Sequence, residues 1–476
     1  MAVHIPLEYI SYDDQKKISR ELHIKDATFQ YNVQFYTETA SINFLNVEDK
    51  VARLPYRFAR DYFKSTNPNA KIYDHINGSP TRVERKKIDP FDMCEGFKLF
   101  DYQVEVIENA KKYLEKNGTV VFNVYCSFGK TVTAIYLAQY LAKKDGCLTL
   151  ITYPRDLVGR SFIGTAVNMT NARISVIGEK MAGTVDPDDA QIIFCMDTRL
   201  QSIPQNIIDK VGHLVVDEAH MFCTEGHVAG LLRFQPLYIT GLTATYERPD
   251  GFHKMLDYML GTEKIIKINK KPFFVFFFET GIAPNDIKFT SRGVMMQSVM
   301  KSLDLNEERN GIIYKMVLAN LNEKILILTK HVDHAKKMVE DLKKLVTPYG
   351  KTVSLLIGGI KQYEDADIIV GTVSKTGVGY DEKESCKDWK GKRINLLILT
   401  CTIKRIEQIA GRVFRAEVPV IFDLVDNYPN LIKHKKLRNE WYISRNGLVY
   451  NSHKIFSWNE MFPHLKDKYL EIYNSV

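Results

Sequence analysis

Cys126, Ser127, Phe128, Gly129, Lys130 and Thr131 form a short loop ending in Gly-Lys-Thr. Such a loop can cradle a triphosphate. Its amides and the positive end of a following helix face the phosphates, the lysine reaches the β and γ groups as a mobile cation, and the threonine hydroxyl holds Mg²⁺. A second cluster, Asp217 and Glu218 in VVDEAH, supplies two carboxylates. Asp217 is expected to be the other anchor for Mg²⁺, and Glu218 to orient or deprotonate an attacking water. An Asp-Glu pair alone is usually structural; ending an apolar strand downstream of Gly-Lys-Thr, it becomes specific. A third feature, Arg412 and Arg415 in QIAGRVFR, is spaced to share one face of a helix. Two guanidinium groups there can serve a γ-phosphate if two lobes close over it, whereas an isolated Arg-x-x-Arg pair is more often a solvated helix face.

These residues need elements to position them. TVVFNVY at 119–125 reads as a buried strand, and Ala134, Leu137, Ala138 and Leu141 recur at helical spacing after the loop. The full phosphate-loop pattern has a glycine where this chain has Val124, and many relatives carry one at the site of Ser127. Further apolar runs at 147–152, 191–195, 213–217 and 237–242 alternate with helical or loop segments, and a second series follows at 324–329, 353–357, 366–372, 394–400 and 418–424. Continuous apolar strands separated by helices imply parallel sheets covered on both faces. The expected fold class is therefore α/β, with two tandem parallel-sheet lobes, the phosphate loop in the first. One connection resists this pattern. Only Gly358 to Asp365 separate two strands of the second series, whereas parallel neighbours ordinarily need a longer crossover. Either those strands are not adjacent, or the chain crosses by a loop.

Length suggests about three domains. The expected divisions are an N-terminal accessory domain at 1–95, lobe 1 at 96–270, lobe 2 at 271–426 and a C-terminal extension at 427–476. The stretch 67–90 reads as a linker. VARLPYRFARDYF at 51–63 is basic and aromatic, suited to a phosphate backbone or to a solvated helix face. In the extension, lysines and arginines interleave with Trp441, Tyr442, Tyr450, Phe456 and Trp458. Base stacking and packing on lobe 2 both explain that pattern.

With 45% hydrophobic and 26% charged residues the composition excludes a disordered chain or a fibre. The run Phe273 to Phe278 is too short to span a bilayer, and residues 1–10 lack a signal-peptide pattern. Seven cysteines without a Cys-x-x-Cys pair point to reduced thiols and away from zinc. His213, His220, His331 and His334 are not read as metal ligands, and HVDH at 331–334 is expected to open an ordinary helix. The formal charge of +8 permits a polyanionic partner.

Gly-Lys-Thr, DEAH at 217–220, Thr243-Ala244-Thr245 and QIAGRVFR at 408–415 occur in the order found in superfamily 2 helicases and translocases, which the chain resembles from about Phe97 to Asp426. That resemblance implies RecA-like lobes, Mg-ATP as cofactor and a nucleic-acid partner. It assigns Gln103 to adenine, Pro154 to strand contact, and Asp381, in GTVSKTGVGYD, to a position near the ribose. It also implies that His220 couples the site to the second lobe. TATYERPDG, with Arg248 and Asp250, is most similar to the XPB/UvsW-like branch, and ERN at 308–310 and the short Gly358-Gly359 crossover resemble its viral members, the transcript-release helicases of large cytoplasmic DNA viruses. The expectation is an intracellular ATP-dependent motor in a reducing compartment, with DNA favoured over RNA. For a viral member, the host cytoplasm and the virion are the settings and the transcription machinery is a candidate partner. The alternatives are the motor portion of a restriction or repair nuclease, and a clamp that binds ATP and nucleic acid without turnover.

Overall fold

The computed structural model describes residues 2–27, 41–43, 45–66, 85–125, 127–179, 181–248, 250–291, 293–360, 362–376, 382, 386–403 and 406–475. Cys126, Asp381 and most of the 67–90 segment lie outside the described residues. The chain divides into two compact units, Met1–Lys267 and Ile268–Val476.

The first unit is built on a seven-stranded sheet, parallel throughout. Its spatial order is Lys264–Lys267, Thr119–Val124, Tyr238–Thr243, Val211–Asp217, Leu148–Tyr153, Ile192–Met196 and Ile174–Val176. The five longer central strands are almost wholly buried, as their unbroken apolar sequences require. Two short strands, Ile174–Val176 and Lys264–Lys267, were not marked by the sequence pattern, since three or four residues give no period to read. Before this sheet the chain forms an antiparallel trio, Ala2–Pro6, Val51–Pro55 and Asn46–Glu48. Val3, Ile5, Leu54, Phe58 and Phe63 share one core with Met255, Leu256 and Met259 of the parallel-sheet lobe. The 51–63 stretch is therefore largely structural. It makes a strand and the start of the Tyr56–Thr66 helix, Arg57 is buried against Glu263 at 3.2 Å, and Arg53 pairs with Glu48 at 2.7 Å.

The second unit holds another seven-stranded parallel sheet. Its order is Val353–Leu356, Ile368–Thr372, Ile325–Thr329, Leu396–Leu399, Val420–Val425, Phe273–Glu279 and Gly447–Ser452. Both units are thus RecA-like parallel-sheet lobes. Val353–Leu356 and Ile368–Thr372 are direct parallel neighbours, so the chain crosses between them by a loop. Gly447–Ser452, inside the C-terminal extension, completes the sheet beside Phe273–Glu279. The extension's aromatics pack on this lobe: Trp458 lies 4.9 Å from Phe274, Phe456 is 4.8 Å from Phe276, and Tyr450 is stacked on Phe276 at 5.3 Å. Trp441 and Tyr442 likewise face Phe273, at 6.3 and 6.1 Å. The packing explanation of these rings prevails.

Among the described residues no helix is long and apolar enough to cross a membrane. The described cysteines are free thiols.

Candidate active site in the first lobe

The Thr119–Val124 strand delivers the chain into the loop, and the Lys130–Asp145 helix leaves it. Between them the backbone turns through the left-handed region twice, with φ of 79° at Ser127 and 95° at Gly129. Ser127 therefore occupies a conformation that glycine adopts without steric cost. At Gly129 the space is also closed. A Cβ there would stand 2.4 Å from the Gln103 Nε2.

Gln103 is buried in the first turn of the Asp101–Asn117 helix. Its Nε2 donates to the Phe128 carbonyl at 3.1 Å, and its Oε1 accepts from the Phe100 amide at 3.1 Å. Phe128 is buried, and its ring meets Tyr102 edge-on at 5.2 Å. Tyr102 in turn stacks on Phe100 at 5.5 Å with 8° between the rings, and both are exposed. This aromatic step beside Gln103 was missed from sequence, although LFDYQ displays it once Gln103 is singled out.

Asp217 ends the Val211–Asp217 strand, and the register sets it beside Leu242 of the next strand, while Thr243 pairs with Asn123. The loop, the acidic pair and Thr243 therefore leave the same carboxyl edge of the sheet, where open α/β sheets hold their ligands. Glu218 follows with φ of 48°, a left-handed backbone for a non-glycine residue. Such outliers concentrate at functional sites, because surrounding structure must offset their cost. Its carboxylate stands 3.5 Å from the Lys130 Nζ and 3.5 Å from the His220 Nδ1. Asp217 is buried, and its Oδ1 has no hydrogen-bond partner among the described residues. Burial, reinforced by the neighbouring Glu218 carboxylate and opposed by Lys130, pushes the Asp217 carboxyl up to about 7. Thr131 lies half-buried in the first helical turn.

His220 bonds the Thr243 hydroxyl at 2.9 Å, and that hydroxyl donates to the Thr245 carbonyl at 2.9 Å. Arg248 donates to the His220 carbonyl at 2.7 Å and pairs with Asp250 at 2.5 Å. Thr243 and Arg248 stand in the sequence only as marks of family resemblance, and their contacts give them a structural part in holding DEAH.

In the second lobe, Arg412 and Arg415 are not on a helix. The helix spans only Glu407–Ala410, and past Gly411 the amides of Arg412, Val413 and Ala416 bond three residues back. A glycine at the fifth position and a tighter turn end it. Arg412 is buried and Arg415 half-buried. Arg309 and Asn310 of ERN form a buried brace: Arg309 bonds Asp426 at 2.8 Å, and Asn310 bonds His334 at 2.9 Å. The His331 Nδ1 bonds Asp304 at 2.6 Å and the His334 Nδ1 lies 3.0 Å from the same carboxylate, with the Val332–Val346 helix starting between the two histidines. His213 is held by Thr149 and Thr240 at 3.2 and 2.9 Å.

The partnerless Asp217 oxygen offers a bound cation an unsatisfied ligand, and the left-handed loop that leads into the Lys130–Asp145 helix offers backbone amides to a triphosphate. The comparisons bear on the same region. The family described as Type III restriction enzyme, res subunit, matches residues 96–248, about a third of the chain. A protein of Invertebrate iridescent virus 6 named as a helicase, 161L, is 27% identical over 379 residues, covering 74% of this chain and 82% of its own. Protein 055L of Frog virus 3, also named as a helicase, is 29% identical over 352 residues, covering 73% and 78%. L396 of Acanthamoeba polyphaga mimivirus, named as an ATP-dependent RNA helicase, is 25% identical over 406 residues, covering 80% and 73%. With two RecA-like lobes and these relatives along most of its length, the chain is similar to viral proteins named as helicases.

Proposed function

We propose that the protein is an ATP-driven, Mg²⁺-requiring motor that moves along nucleic acid. The observation that carries this reading is the Lys130–Glu218 pair at 3.5 Å, beside the buried Asp217, on the carboxyl edge that also holds the left-handed Gly129 loop. Lys130 would bind the β and γ phosphates, Thr131 and Asp217 would hold Mg²⁺, and Glu218 would take a proton from the attacking water. Gln103 addresses the adenine, and Cys126, Ser127, Phe128 and Gly129 lend backbone to the phosphates. Asp381 is assigned to the ribose. To Arg412 and Arg415 of the second lobe we assign stabilisation of charge on the γ-phosphate. Bound Mg-ATP supplies the phosphoanhydride whose cleavage releases the free energy for movement. Lys130 lies 3.5 Å from Glu218, so nucleotide binding would exchange a carboxylate for phosphate oxygens and leave Glu218 to act as base.

DNA is the favoured track, in a viral setting of transcript release or DNA processing within the host cytoplasm, as a member of the XPB/UvsW-like branch. The TATYERPDG and ERN segments support that placement. RNA is a second reading, favoured by the name of the mimivirus relative. ATP turnover measured with single-stranded DNA, duplex DNA and RNA at one ionic strength separates them. We expect stimulation by DNA, reduced steeply by Arg412→Ala or Arg415→Ala. Stimulation by RNA alone overturns the DNA assignment, and no stimulation by any of the three overturns the motor.

A further inference from the structure

The Pro429–Ser444 helix links the Val420–Val425 and Gly447–Ser452 strands, which flank Phe273–Glu279 in the sheet of the second lobe. Its later half is pinned. Arg438 donates to both oxygens of the buried Asp423, at 2.7 and 2.8 Å, and the Tyr442 hydroxyl donates to the same carboxylate at 3.0 Å. Toward the helix start, helix and sheet line a cavity of about 550 Å³. It opens at the carboxyl ends of all three strands, where α/β sheets take ligands, and its volume suits a small organic group.

The chemistry of the lining narrows the ligand. Phe277 and Asn451 are cross-strand partners, so they stand side by side on one face of the sheet. Lys435 is already engaged: its Nζ bonds Glu279 at 2.8 Å and Asn451 at 3.0 Å, and lies 4.9 Å from the centre of the Phe277 ring. The carboxamides of Asn427 and Asn439 also line the cavity, and neither has a side-chain partner among the described residues. Lys436, exposed at the rim, has no carboxylate partner among them either. Free carboxamides present donor and acceptor together, which matches the edge of a nucleobase. The apolar floor of Val425 and Val449 accepts a ring, and a solvated lysine at the rim suits a phosphate.

We propose that this cavity receives one base of the strand on which the motor moves, with Asn427 and Asn439 at the base edge and Lys436 at the adjoining phosphate. The inference rests on the function proposed above. The test uses the full chain and a single-stranded oligonucleotide carrying one 4-thiothymidine. Irradiation is expected to cross-link the peptides that contain Phe277, Asn439 or Asn451. Asn439→Leu and Lys436→Glu, neither part of the ATP site, are each expected to weaken oligonucleotide binding about tenfold and to leave basal ATP turnover unchanged. The second variant changes only an exposed side chain, so it reports even if the first misfolds. Unchanged affinity in folded variants, or cross-links confined to other peptides, overturns the cavity assignment while the motor stands. A wild-type chain that binds no oligonucleotide overturns both.

Discussion

At the scale of single residues, the proposed ATP site depends on backbone as much as on side chains. Gly129 carries φ of 95° and faces the Gln103 amide at 2.4 Å from where a Cβ would stand. Gly129→Ala must therefore shift the loop or Gln103. ATP binding, followed with a fluorescent analogue, is expected to weaken at least tenfold, on the order of 1–2 kcal/mol of backbone strain, while nucleic-acid binding persists; unaltered ATP affinity would show that the loop tolerates the change. A different residue contributes to the response to acid. Burial lowers His213 to about 3, so it stays neutral in the fold and takes a proton only on unfolding. Between the ordinary histidine value of 6.5 and about 3, the unfolded chain binds the extra proton, and stability falls as pH falls. Each pH unit below 6.5 costs up to about 1.4 kcal/mol from this group. His213→Gln should flatten the decline of Tm between pH 6.5 and 4.5; an unchanged slope would place the acid sensitivity elsewhere. Lys130, Asp217 and Glu218 were legible because their chemistry lies in residue type and order. The left-handed turns at Ser127 and Glu218 were not, since serine and glutamate give no hint of positive φ.

At the scale of elements, the C-terminal extension shows what composition leaves open. Its basic and aromatic residues suited base stacking and packing alike, and Arg438 and Tyr442 converge on Asp423, all three buried. Removing Arg438 leaves that carboxylate unpaired, so Arg438→Ala should cost the second lobe about 3–5 kcal/mol. Replacing the pair together, Arg438→Met with Asp423→Leu, should recover much of it. Denaturant unfolding reads both; equal loss in the single and double variants would mean that the ion pair is not what the helix depends on. The central strands were legible from unbroken apolar runs. The Gly447–Ser452 strand was not, because GLVYNS is half polar and its place at the sheet edge needs only one buried side. The turn holding Arg412 and Arg415 was misread as helix for a related reason: three-residue spacing is common to a helix and to successive tight turns, and only Gly411 marks the change.

At the scale of the whole molecule, two lobes of one architecture carry different parts. The first holds the phosphate loop and acidic pair; the second holds the arginines and the cavity beneath the Pro429–Ser444 helix. The repeated architecture was legible in the sequence as two series of apolar strands. The attachment of the N-terminal strands to the core of the first lobe was not, because a shared core is a property of packing and leaves no local pattern. The central claim is that the first lobe turns over ATP with Glu218 as base, in response to nucleic acid. The most direct measurement compares nucleic-acid-stimulated ATP hydrolysis by the wild-type chain and by Glu218→Gln, with ATP affinity determined for each. The account predicts that the variant binds ATP at least as tightly, having lost the carboxylate beside Lys130, and hydrolyses it ~100-fold or more slowly. Stimulated turnover at the wild-type rate in Glu218→Gln would contradict it.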